Sequence, residues 1–242
     1  MLRFKQVIQQ PVVQFSFLFS FFFFITSFYL CRYYIYKHSQ QERTREKQTS
    51  WILTLWSSLV CTVVSIPFVI QFFNADLDMQ LLGIDNSFHT GFVCFFITYL
   101  MLDLTLGSIY YRERITLMTG WVHHMFYMAL LSYFLRLQVS SLFTVSSILE
   151  LPTLILAIGS IVHEWRSDLL FGSSFFLLRL VAHAWMTVNL KRHHRIEFMW
   201  IVALIIYPLH IYWFYGIIQI QIRKLTAYRK MQRLAHKTKY FI

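Results

Sequence analysis

The chain has 242 residues, of which 57% are hydrophobic, 19% aromatic and 14% charged. A soluble domain carries about 25% charged residues and shows polar faces, so an ordinary water-soluble globule is excluded and a polytopic membrane protein is indicated. The net charge of +11 does not imply nucleic acid as a partner, because the basic residues gather at the borders of apolar runs, where anionic lipid headgroups are the simpler partner.

Seven runs approach the roughly 20 apolar residues needed to cross a hydrocarbon core about 30 Å thick: residues 12–34, 51–73, 88–109, 117–135, 141–162, 169–190 and 198–222. Backbone in lipid must satisfy itself, so each is predicted to be a helix. The first run opens after a basic stretch, MLRFKQ, but it is longer than a signal-peptide core and lacks a small-x-small cleavage site, so it reads as an anchor. The connections are short and polar, among them KHSQQERTREKQTS, YRERIT, HEWRSD and KRHHRIE. The expected architecture is all-α: an N-terminal anchor helix and basic cytosolic loop over 1–50, a transmembrane domain over 51–224, and a basic tail over 225–242.

With seven spans, Arg3, Lys5, Arg136, Lys191, Arg192 and Arg195 fall on one side, six in all, against fifteen on the other, seven of them in the tail from Arg223 onward. The positive-inside rule then predicts a lumenal N-terminus and a cytosolic C-terminus. The tail is expected to meet anionic lipids. Cys31, Cys61 and Cys94 lie in or near apolar runs without CxxC spacing and read as packing residues.

Hydrophobic pattern leaves Asp103, Glu150 and Arg179 unexplained inside spans, together with His123, His124, His183 and His210. Ionisable groups at membrane depth cost several kcal/mol unless paired, so they mark a functional interior. Their depths agree: His123 stands six residues after Leu117, about 9 Å into its helix, and the others also fall between mid-bilayer and the cytosolic side. Tyr127 follows the two histidines by four and three residues and shares their face. Ser146, Ser147 and Thr153 flank Glu150, with Pro152 as a local distortion, and His183 lies one turn after Arg179. A polar chamber open to the cytosol is predicted; the plainer alternative is a bundle joined by buried polar pairs such as Glu150 with Arg179.

The succession YLMLD, WVHHMFYMALLSYFL, SSILELPTLIL and FFLLRLVAH resembles the TLC-domain family, which includes ceramide synthases and TLCD-type lipid proteins, over roughly residues 51–224. The specific parts are the His-His pair and Glu150, 26 residues after the second His, within ELPT. Ceramide synthases carry an HD and a second Asp in the following span, which this sequence lacks; the TLCD-type branch is closer. The resemblance implies a seven-helix lipid-handling protein of the endoplasmic reticulum with membrane lipids, acyl-CoA or fatty acid as partners, and a homo-oligomer is compatible with it.

A histidine can act as general base toward a lipid amine or hydroxyl, while a neighbour or carboxylate fixes its tautomer. Adjacent helical residues point about 100° apart, so His123 and His124 cannot address one atom: one is expected to face the chamber and the other Asp103 or Glu150. His123, His124, Glu150 and Asp103 are therefore the catalytic candidates, and Tyr127, Arg179, His183 and His210 the substrate-binding ones. No resident cofactor is expected, acyl-CoA being a co-substrate if N-acyl transfer occurs. No metal is expected either, because the histidines show no spacing of three or four that converges on one ion. Without turnover, the same chamber would serve a lipid-binding, membrane-composition-regulating or cargo-receptor protein. A G-protein-coupled receptor would share the topology, but its last-span Asn-Pro motif is missing. His193 and His194 read as a solvated lumenal loop.

Overall fold

A computed structural model describes residues 1–39, 41–193, 196 and 198–238, with side chains left undescribed at 119 and 233–238. His194 and the last four residues of the expected tail thus lie outside the described residues. The chain is all-helical. In order come α1 (Phe4–Ile8), α2 (Pro11–His38), α3 (Glu42–Thr49), α4 (Ile52–Asn74) and α5 (Ser87–Tyr110). A π-helix over Leu117–Val122 leads into α6 (His123–Leu137), followed by α7 (Ser140–Ser146), a 3-10 turn over Ser147–Glu150 and α8 (Leu151–Ile161). After α9 (Asp168–Phe175), a π-helix over Phe176–Ala182 leads into α10 (His183–His193), and α11 (Met199–Thr238) closes the chain.

Six of these segments are long and apolar enough to cross a membrane: Pro11–His38, Glu42–Asn74, Ser87–Tyr110, Ser140–Ile161, Asp168–His193 and Met199–Gln232. They coincide with six of the seven expected runs. Residues 117–137 are helical throughout but are not among the six; His123 and His124 dilute their apolarity. The short polar connection KHSQQERTREKQTS carries α3, whose Glu, Arg, Lys and Gln are good helix formers.

Contacts between connections define two ends of the bundle. At the first, the amide of Leu2 donates to the Arg136 carbonyl (2.8 Å) and that of Ser141 to the Ile84 carbonyl (3.3 Å). At the second, Gln48 Nε2 donates to the Ile161 carbonyl (2.8 Å), Arg114 lies 3.6 Å from Glu46, and Lys224 pairs with Asp168. Residues 117–137 run from the second end back to the first.

The core is built around α5, with α2 along it. Phe24 and Phe28 are fully buried; the Phe24 ring lies 4.7 Å from Phe95 and the Phe28 ring 5.4 Å from Tyr110. Gly107 of α5 and Gly120 of the first π-helix both lie against Ile115, where a Cβ at either position would collide with its side chain. Small residues allow this close approach, so Ile115 wedges into the turn between α5 and the histidine-bearing helix.

Candidate functional site

Two polar clusters occupy the middle of the bundle. The first joins α5 to α6. His124 is buried; its Nδ1 lies 2.8 Å from the carbonyl of Gly120, one turn earlier in the π-helix, and donates to it. Its Nε2 lies 3.1 Å from Asp103 Oδ2, at an angle outside hydrogen-bond alignment. The Gly120 carbonyl thus fixes the proton on Nδ1 and leaves Nε2 facing the Asp103 carboxyl. Asp103 Oδ1 accepts from the Tyr111 hydroxyl at 2.8 Å. Tyr111, the C-cap of α5, reaches back along its own helix face, its ring passing over Gly107, where a Cβ would come within 2.7 Å of Tyr111 Cε2.

The second cluster joins the Ser147–Glu150 turn and α8 to the Phe176–Ala182 π-helix, α10 and α11. Arg179, 7% exposed, donates from Nε to the Leu149 carbonyl (2.6 Å), from Nη2 to Glu150 Oε1 (2.7 Å) and Thr153 Oγ1 (3.1 Å), and from Nη1 to His210 Nε2 (3.1 Å). His210 Nε2 is therefore an acceptor and Nδ1 carries the proton, shared between the Arg179 carbonyl (3.0 Å) and His183 Nδ1 (2.9 Å). His183 Nε2 in turn donates to the Ala203 carbonyl (3.1 Å). Two neutral imidazoles in these tautomers satisfy every contact, and the charge of Arg179 is balanced by Glu150, as a buried ion requires.

His123 stands between the clusters. Its ring lies 4.6 Å from Tyr127 and 5.3 Å from Trp213, and Trp213 lies 6.0 Å from His210. Its Nδ1 is buried without a hydrogen-bond partner among the described residues. The two histidines thus point apart as the helical angle requires, with His124 toward Asp103 and His123 toward Tyr127 and the second cluster. All eight candidates from the sequence fall in these two clusters or beside them.

A cavity of about 90 Å³ adjoins the second cluster. Glu150, Arg179, His183 and His210 line it at mid-bundle, and from there it follows Leu131, Phe134, Leu190 and Met199, toward the end where Leu2 meets Arg136. The lining of this cavity extends from the polar cluster through apolar side chains of α6, α10 and α11, away from the end that carries the C-terminal segment.

Each cluster also sits where the helix departs from α geometry. A π-helix precedes His123, a 3-10 turn ends at Glu150, and a π-helix holds Arg179. Such departures recur at functional sites and strained positions. The distortion expected near Pro152 lies in the turn before it, with Pro152 at the start of α8. Sequence reasoning missed Tyr111 and Trp213. Trp213 is three residues after His210, and Tyr111 eight after Asp103 across Gly107, spacings that place each pair on one face. Among the described residues no group of three or more His, Cys, Asp or Glu is placed to hold a metal ion.

Comparison with protein-family models, with curated proteins and with solved structures gives no match for this chain.

Proposed function

We propose that the chain is a TLC-type membrane protein of lipid homeostasis, crossing the bilayer seven times, that handles acyl lipids or sphingoid bases at the Glu150, Arg179 and His123 region. The observation that carries this reading is a charge-balanced polar cluster at the head of an apolar cavity, with His123 beside it holding an unpartnered ring nitrogen. In the catalytic form the reaction is N-acyl transfer. His123 takes the proton of a lipid amine as its nitrogen attacks an acyl thioester; the N–C bond forms, the C–S bond breaks, and the proton passes to the leaving thiolate. Asp103, His124 and Tyr111 hold the helix that carries His123, and Arg179 is held by Glu150.

A second reading, lipid binding without turnover, is favoured by one feature: Arg179, His210 and His183 have their hydrogen bonds satisfied within the protein. Lipid profiles of cells lacking the protein, re-expressing it, or re-expressing His123→Ala separate the two. Catalysis requires that a class of N-acyl lipid be restored by the wild type and not by the folded variant. An identical profile in all three sinks both readings.

For topology, the alternation of the two bundle ends supports counting residues 117–137 as a crossing, and the basic residues near the second end favour a cytosolic side for it. The N-terminus is then lumenal, and residence in the endoplasmic reticulum with the basic tail near anionic headgroups fits. Tags on the two termini should differ in protease accessibility in sealed microsomes; equal accessibility removes one crossing.

A further inference from the structure

The cavity lies between the histidine-bearing helix and α11, contributed to by Leu130, Leu131 and Phe134 on one side and Met199, Val202 and Ala203 on the other. Ring contacts cross this seam at both ends of the cavity: His123 with Trp213 at 5.3 Å and Tyr133 with Phe198 at 6.1 Å. Outside the seam the surface is apolar and exposed, with Met125 and Phe126 on one helix and Ile201, Leu204 and Ile205 on the other. In a chain that spans a bilayer, such a face meets lipid tails.

The cavity is too small to hold a lipid as it stands. A volume of about 90 Å³ is well below the roughly 300–1,000 Å³ of ligand pockets, so an occupant requires the two helices to part. α11 is suited to this. Pro208 lies inside it, between Ala203 and His210, and removes a backbone hydrogen bond at that level. α11 is also the least buried of the six long apolar segments, at 6% of its apolar stretch.

We propose that this seam is a lateral portal through which one acyl chain of a bilayer lipid enters, its tail following the cavity away from Glu150 and Arg179 toward Met199. The occupant is an acyl chain because the path is apolar from Leu131 to Met199, is continuous with the lipid-facing surface, and is polar at one end alone. From His210 to Met199 the path covers eleven residues of helix, about 16 Å, which suits a chain lying lengthwise. The proposal rests on the reading of this protein as a handler of acyl lipids, and it names the route and the direction.

The test uses the purified full chain in phosphatidylcholine nanodiscs whose lipid carries a photoactivatable diazirine in one acyl chain, with adducts mapped by mass spectrometry. Adducts are expected on Leu131, Phe134 and Val202 as well as on the outward Met125 and Ile205. Ala203→Phe, which fills the cavity, should abolish the inner adducts and keep the outward ones. Where Ala203→Phe does not fold, Tyr133→Cys with Phe198→Cys, joined by a bismaleimide in a chain whose native cysteines are replaced by Ser, closes the seam and should give the same loss. Inner residues unlabelled in the wild type, or labelled as strongly with the seam filled or bridged, overturn the portal. Labelling needs no turnover, so inner adducts alongside an unchanged cellular lipid profile would remove the proposed function and leave the portal standing.

Discussion

Helix α5 buries 72% of its apolar stretch inside the bundle, whereas the equally apolar α11 buries 6% and the α9–α10 segment 17%. The same hydrophobicity therefore answers to two solvents. In α5 it is met by protein, through the aromatic rings of α2 and the Ile115 wedge. In α11 it is left exposed, as a helix that faces lipid would be. The two polar clusters divide along this line: Asp103 and His124 belong to the packed side, while Arg179, His183 and His210 sit on segments whose apolar stretches are mostly exposed. On the loose side, buried hydrogen bonds replace apolar packing as the link between helices, since lipid tails offer no hydrophobic reason for helices to associate.

The comparison breaks most severely at Glu150. Glu150→Ala strands the Arg179 charge on the side with the least packing to compensate, and breaking a buried pair costs about 3–5 kcal/mol. The expected result is a marked loss of monodisperse protein in detergent, partly recovered when Arg179→Ala is added; strictly additive losses would show that the two do not act as a pair. On the packed side, Gly107→Ala drives a methyl group into Ile115 and Tyr111, an overpacking cost of about 1–3 kcal/mol, read as a lowered melting temperature.

His124→Ala sharpens the contrast between the adjacent histidines, because it strands Asp103 and the Gly120 carbonyl, at about 1–3 kcal/mol. His123→Ala leaves no stranded partner and should cost about 1 kcal/mol or less. Equal losses of thermal stability for the two would contradict their assignment to different roles. The smallest effect is expected at Lys224→Ala: its side chain is half exposed, and an exposed pair contributes about 0–1 kcal/mol, so the melting temperature should hardly move.

Much of this was legible in the sequence. Six long helices follow from apolar run length, and the residues that hydrophobicity failed to explain, from Asp103 to His210, are the ones the fold gathers into clusters. What was not legible depends on tertiary context. The π-helices at Leu117–Val122 and Phe176–Ala182 carry no residue signature. Tyr111 follows Asp103 by eight residues and Gly107 by four, a same-face spacing, but that the helix ends there with the ring laid over Gly107 is visible only in the fold. The polar α3 lacks an apolar stripe to announce it. The cavity is set by how α6, α10 and α11 converge around residues far apart in sequence, such as Leu131, Leu190 and Met199, and a one-dimensional pattern does not contain that.

At 40 residues, α11 is about 60 Å long, twice the hydrocarbon thickness. It carries His210 on one stretch and Arg223, Lys224, Arg229 and Lys230 on another, without a break in the helix between them. Lys224 pairs with Asp168 at the second end of the bundle, and the basic stretch beyond it continues the same helical axis. One unbroken helix therefore carries both the Ala203 and His210 wall of the cavity and the basic residues that extend past the apolar stretch, so the depth of one fixes the depth of the other.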